Sequence, residues 1–354
     1  MSLPFSRLIA VVAVLSVGLA GCSNTPPTPA SMPTASATAE GSSLAGSSIT
    51  VYNAQHEELT QAWADAFTAA TGVTVTLRNG DDSELGNQLV QEGGASPADV
   101  FLTENSPAIS LVERAGLLTD VDAATRQQVP AAYRPSTGKW TGIAARSTVF
   151  VYNPAKLSES ELPKSLLDLA DPSWKGRWAA SPGGADFQAI VSALLALKGR
   201  AATAEWLAGM QANVTQYQGN STVMKAVNAG EIPGGVIYHY YWFIDQAGTK
   251  ENSKNTKLHF FDKQDPGAFV SVSGGGVLAS SKNQAAAQAF LAFITGKAGQ
   301  DVLRTGTSFE YTVASGVPAN PALPALNTLG GPTVDPSTLN GTEVVDLMTK
   351  AGLI

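Results

Sequence analysis

The chain has 354 residues, 44% hydrophobic and 14% charged, enough to build the cores of roughly two domains. A formal net charge of -7 argues against nucleic acid as a partner. The single cysteine excludes an intramolecular disulfide and any cysteine metal cluster.

The chain opens with Arg7 in a short basic region, an apolar run over residues 8–20, and Leu19-Ala20-Gly21-Cys22. This reads as a signal peptide over residues 1–21 ending in a lipoprotein box, with Cys22 as the lipidated N-terminus. The apolar run is short for a membrane-spanning helix, which needs about 20 residues. Residues 22–47 are rich in Ser, Thr, Pro and Ala and read as a disordered tether. The expected location is the outer face of the cell membrane, held by lipid.

A strand is expected at residues 49–53. A helix follows over 56–70, where Leu59, Trp63, Phe67 and Ala70 recur at helical spacing before Gly72 stops it. Strand 73–77, helix 83–92 and strand 99–103, ending at Glu104, continue the alternation that marks an α/β lobe with a largely parallel sheet. The unbroken run at 147–153 is a candidate crossover into a second lobe. That lobe holds a strand at 174–180, helices at 187–197, 205–212 and 221–229, and a strand closing in Tyr238-His239-Tyr240-Tyr241-Trp242. Adjacent residues on a strand face apart, so the Tyr240–Tyr241 pair is expected where the strand has bent into a loop. A strand at 269–272, ahead of Ser273-Gly274-Gly275-Gly276, is expected to lead the chain back. The first lobe is therefore assigned 48–147 and 272–325, and the second 148–271 with 326–354. The Pro-rich stretch at 318–336 is expected to wrap the surface. Two crossings between lobes create a hinged cleft, and ligands of open α/β sheets sit beyond the carboxyl ends of strands.

His56, Glu104, Tyr240 and Tyr241 all fall at such ends. One imidazole, one carboxylate and two phenols form a hard-donor metal set. Phenol titrates near pH 10, so two phenolates at neutral pH require a strongly Lewis-acidic ion, which selects Fe³⁺ over Mg²⁺, Ca²⁺ or Zn²⁺. His239 and His259 read as structural or solvent-facing.

Val51-Tyr52-Asn53-Ala54-Gln55-His56, Ser96-Pro97-Ala98-Asp99-Val100-Phe101 running into Glu104, Arg146 before Val149-Phe150-Val151-Tyr152, residues 220–231, Tyr240-Tyr241-Trp242 and Asp265-Pro266-Gly267-Ala268 together carry a likeness. The chain resembles the bacterial ferric-ion-binding proteins, the substrate-binding components of iron ABC importers within the periplasmic binding protein superfamily. The resemblance implies a two-lobed type II clamshell joined by two hinge strands, a monomer, and an ABC permease as partner. It implies that His56, Glu104, Tyr240 and Tyr241 ligate iron, two from each lobe. It also implies a synergistic anion such as phosphate or carbonate. Gly183, Gly184 and Ala185 in the stretch 181–186 match the family's anion loop, with Arg146, Asn220 and Tyr238 beside it. Gly183 stands where a serine is common, and Tyr238 where an asparagine is. Asp186 would repel phosphate if its carboxylate pointed inward, so a smaller or looser anion is expected.

Two other functions compete: the same fold binding thiamine, a phosphonate or another small anion, and a secreted metalloenzyme. Retention of all four donors opposes the first. The second lacks a zinc-protease motif, a serine nucleophile elbow and a pair of acid/base carboxylates, so no enzyme is expected.

Overall fold

Buried apolar residues alternate or run together along β1 (Ser48–Asn53) and β3 (Val100–Leu102), and β2 (Thr74–Asn79) alternates half-buried Val75 and Leu77 with exposed positions, while α1 (Glu57–Thr71) and α2 (Asp82–Glu92) turn apolar faces onto the strands. Gly72 ends α1 in the left-handed region at φ 73°. α3 (Ser106–Arg114) and α4 (Ala123–Gln128) lead to β4 (Thr141–Tyr152), whose 12 residues are all buried. Next come β5 (Trp178–Ala180), α5 (Ala185–Asn213), β6 (Val214–Gln216), α6 (Asn220–Ala229), β7 (Gly234–Tyr238), α7 (His239–Ala247), β8 (Lys257–His259) and β9 (Val270–Val277). The helices α8 (Gln284–Thr295), α9 (Lys297–Thr305) and α10 (Gly341–Lys350) complete the chain. The computed structural model describes residues 44–354. The signal peptide, Cys22 and most of the expected tether lie outside the described residues. The last tether residues belong to the fold instead: Leu44 packs against the first-lobe core, and the Gly46 N–H donates to Gly72 O at 3.1 Å.

The strands form a sheet in the order β2-β1-β3-β9-β4-β7-β5-β6, with β8 also on β4. Pairs β1–β2, β1–β3, β5–β6 and β5–β7 are parallel, whereas β9 is antiparallel to both β3 and β4. Strand β4 serves two sheets. Thr141 to Ser147 pair with β9, and Thr148 to Tyr152 pair with β7. Helices cover both faces of each part, giving the first lobe two cores around Trp63 and Trp140, and the second two around Trp178 and Val223.

Several elements depart from the sequence reading. The helices expected at 187–197 and 205–212 are parts of α5, interrupted at Gly199 (φ 80°, ψ 170°). Only Trp178 to Ala180 of the strand expected from Trp174 pairs in the sheet, because Pro172–Trp174 is a 3-10 turn. The Ser-Gly-Gly-Gly run lies within β9. The tyrosine pair is not in a loop: Tyr240 and Tyr241 occupy the first turn of α7, where consecutive side chains diverge by about 100° rather than facing apart. The C-terminal region spans both lobes. Ser110 Oγ donates to Pro336 O at 3.2 Å from the first lobe, while Val344 and Leu347 of α10 join a second-lobe core. Among the described residues, no helix is long and apolar enough to cross a membrane.

Candidate metal centre

The turn between β1 and α1 is fixed by Asn53, whose Oδ1 accepts from Gln55 N–H (3.1 Å) and Thr60 Oγ1 (2.9 Å). It delivers His56 to the N-cap position of α1 without using the ring as a cap. Across the cleft floor, β3 ends one residue before Thr103, and the N–H groups of Glu104 and Asn105 donate to the Asp82 carboxylate at 3.0 and 2.9 Å. That anchoring places Glu104 Oε1 3.1 Å from His56 Nδ1. The other lobe supplies Tyr240 and Tyr241, stacked with ring centroids 4.2 Å apart. The His56 ring meets Tyr240 edge-on at 4.9 Å. All four expected metal donors therefore converge. His56, Glu104 and Tyr241 line a cleft of about 600 Å³ together with Gln55, Gly183, Gly184, Ala185 and Asn220, while Tyr240, stacked on Tyr241, is itself buried.

The expected anion residues are arranged differently from the sequence reading. Asp186, in the first turn of α5, points inward and is only 6% exposed. Its Oδ1 accepts from Asn105 Nδ2 at 3.0 Å, and its Oδ2 accepts from Asn220 Nδ2 at 2.8 Å. The same Oδ2 accepts from the hydroxyls of Tyr240 (3.4 Å) and Tyr241 (3.1 Å). Asn220, expected to hold an external anion, thus holds an internal carboxylate. Arg146 and Tyr238 are fully buried beneath the cleft. Tyr238 donates to Asn105 Oδ1 at 3.5 Å. Arg146 donates through Nη1 to Glu104 Oε2 (3.2 Å) and through Nη2 to Ser273 Oγ (2.8 Å), and it pairs with Glu310.

Electrostatics follow from burial and these neighbours. Burial, then the charges of Asp186 and Glu104, push both Tyr240 and Tyr241 well above the ordinary phenol range, so both donate protons. Burial raises Glu104, with Asp186 and Glu310 adding to it and Arg146 and His56 opposing. Burial and Glu104 raise Asp82. Burial would depress Arg146, but Glu310, Glu104, Tyr240 and Asp186 outweigh it and hold the guanidinium charged. His239 is fully buried and accepts from Ser147 N–H at 3.1 Å, while His259 bonds Pro163 O at 3.0 Å. Neither joins the donor set.

Among the described residues, no group of three or more His, Cys, Asp or Glu forms a metal site by itself. The two phenols are the further oxygen donors that this cleft offers beside His56 and Glu104. Sequence reasoning missed Asp186 as a site member, although an acid in the anion loop was itself the signal. It also missed Asn105, Asp82 and Glu310, which look like ordinary polar residues until the fold gathers them.

Two α/β lobes sharing a crossing strand, with donors from each facing one cleft, define a type II periplasmic binding protein. Residues 95–329 match the bacterial extracellular solute-binding proteins. The chain is 67% identical over 306 residues to the Fe(3+)-binding periplasmic protein of Serratia marcescens, covering 86% of this chain and 90% of that one. It is 39% identical to the major ferric iron-binding protein of Neisseria gonorrhoeae, covering 86% and 93%. The crystal structure of iron-bound HitA from Pseudomonas aeruginosa is similar with a TM-score of 0.81 and 40% identity, covering 87% and 100%. The chain belongs to the bacterial ferric-ion-binding protein family of the extracellular solute-binding proteins.

Proposed function

We propose that this chain captures ferric iron in the interlobe cleft and delivers it to an ABC permease, without chemical change to any substrate by the protein. The observation that carries this reading is the convergence of His56 and Glu104 from one lobe with the stacked Tyr240 and Tyr241 from the other. Phenols raised by burial release their protons only to a strongly polarising cation, so the same desolvation that keeps them neutral selects against weaker Lewis acids. The names of the relatives agree with the cargo. Binding donors from both lobes makes the ion itself favour the closed form.

The anion is where this chain parts from the family expectation. Asp186 already sits among Asn105, Asn220 and the two phenols, so its carboxylate fills the place where phosphate or carbonate is expected. On this reading Asp186 is a further iron donor, an external anion is dispensable, and Gly183, Gly184 and Ala185 form the cleft wall. The outward-facing lipid anchor at Cys22 and a monomeric state belong to the same proposal.

The test is to strip and reload purified protein with Fe³⁺ and look for a phenolate-to-iron charge-transfer colour. Tyr240→Phe with Tyr241→Phe should abolish the colour and lower iron affinity by orders of magnitude. A colourless ferric complex, or a double variant that binds as the parent does, would refute the iron assignment.

A further inference from the structure

Glu310 is a buried acid that iron capture as described above does not use. It follows α9 in a segment running beside the crossing strand, where Tyr311 N–H donates to Ala145 O at 2.8 Å and Ala145 N–H donates back at 3.0 Å. Its neighbour Phe309 takes a left-handed φ of 52°, which a non-glycine residue keeps only where its surroundings impose it. Glu310 itself is fully buried, and acids are almost never so buried unless paired. One oxygen pairs with Arg146 Nη2. The other, Oε2, has no hydrogen-bond partner and lies 3.9 Å from His56 Nε2.

Arg146 divides its guanidinium between two tasks. Nη2 is held mainly from behind, by Glu310 and by Ser273 Oγ at 2.8 Å, with Gln55 Oε1 a longer contact at 3.5 Å. Nη1 faces the cleft, 3.2 Å from Glu104 Oε2 and 3.7 Å from Asp186 Oδ1. A guanidinium fork matches a carboxylate bidentately, so an Arg146 released from behind would turn both nitrogens onto Glu104 or Asp186. It would then compete with the metal for the same oxygens.

We propose that Glu310 is a positioning residue for ferric capture: it tethers Arg146 by Nη2, so that Nη1 orients one carboxylate of each lobe without closing a bidentate ion pair on either. This rests on the iron reading of the cleft. If the parent protein shows no phenolate-to-iron band, that reading fails and takes this role with it; the remaining outcomes test Glu310 alone.

The experiment measures ferric affinity by citrate competition, following the charge-transfer band, in the parent and in Glu310→Gln, Glu310→Asp, Glu104→Gln and Glu310→Gln with Glu104→Gln. Glu310→Gln should keep the band position, because both phenolates remain, and lose about tenfold in affinity, the lower end of what supporting partners of metal donors contribute. Glu310→Asp should recover most of that loss. In the Glu104→Gln background the loss should shrink, because the nearer of the two rival carboxylates is gone and only Asp186 remains. Parent-like affinity in Glu310→Gln, or an equal loss in both backgrounds, would overturn the proposal. Should Glu310→Gln fail to fold, Ser273→Ala removes the shorter of the two remaining Nη2 contacts, leaving Gln55 Oε1 at 3.5 Å, without stranding a charge. A several-fold loss there supports the tether, and unchanged binding overturns it.

Discussion

Asp186 makes a single substitution informative about the whole anion question. Asp186→Asn keeps the shape of the side chain but removes its charge, leaving Asn105 and Asn220 as unused donors. Iron binding by the variant should weaken and become dependent on added phosphate or carbonate, whereas the parent should bind without either. Anion titration of iron-loaded protein checks this; a parent that requires phosphate would contradict it. A second residue-scale prediction concerns His239, held down to about 3 by burial first and by the Arg146 charge second. An unfolded histidine titrates near pH 6.5, so below that pH the unfolded chain takes up a proton that the folded chain refuses. Stability should fall as pH drops from about 6.5 toward 3, with no contribution from this group above that window, a total on the order of 5 kcal/mol. Urea midpoints at about pH 7 and about pH 4.5 should differ less in His239→Phe than in the parent. At this scale the sequence revealed residue type and position on an element but not direction. His56, Glu104 and the tyrosines were legible as candidates because each follows the carboxyl end of a strand within a few residues, although the tyrosines fall in a helical turn. Asp186 was legible as an acid but not as one facing inward. Glu310 was invisible, since its partner Arg146 is 164 residues away.

Elements were legible where local pattern and tertiary pairing agree. The β1–α1–β2 unit is such a case, with helical spacing and Gly72 both marking α1. The tyrosine run was not, because its aromatic residues favour strands, yet the sheet pairing of β7 ends at Tyr238 opposite Thr148 and a helix takes over. Two glycines of α5 give contrasting tests. A Cβ at Gly199 would meet nothing within 4 Å, so Gly199→Ala probes the backbone alone at φ 80° and ψ 170°. It should cost about 1–3 kcal/mol despite the open space. At Gly209 the Cβ would lie 2.7 Å from Ala170 O, so Gly209→Ala should destabilise through contact, where an exposed helix would gain from alanine. Denaturant midpoints of the two variants check both expectations.

At the scale of the molecule, a cargo held by both lobes acts as a removable link between them. Saturating ferric ion should raise thermal stability, by about 2.7 kcal/mol at a hundredfold excess over the dissociation constant. Calorimetry before and after reduction with dithionite would follow the gain and its reversal; an unshifted transition in a protein carrying the charge-transfer colour would contradict it. The two-lobed plan was legible from alternating strands and helices. The segment around Tyr311 beside β4 was not, because it joins the crossing through only an isolated bridge and leaves no periodic signature. The sheet order carries a consequence for biosynthesis. In space β9 lies between β3 and β4, yet it is the last strand to be made. While the ribosome works, the edge of β3 and the near half of β4 wait without the neighbour they share, and distant pairing of this kind is slow. The first lobe therefore finishes only when the chain is nearly whole, and a newborn polypeptide halted ahead of residue 270 would carry a half-built sheet with nothing to close it.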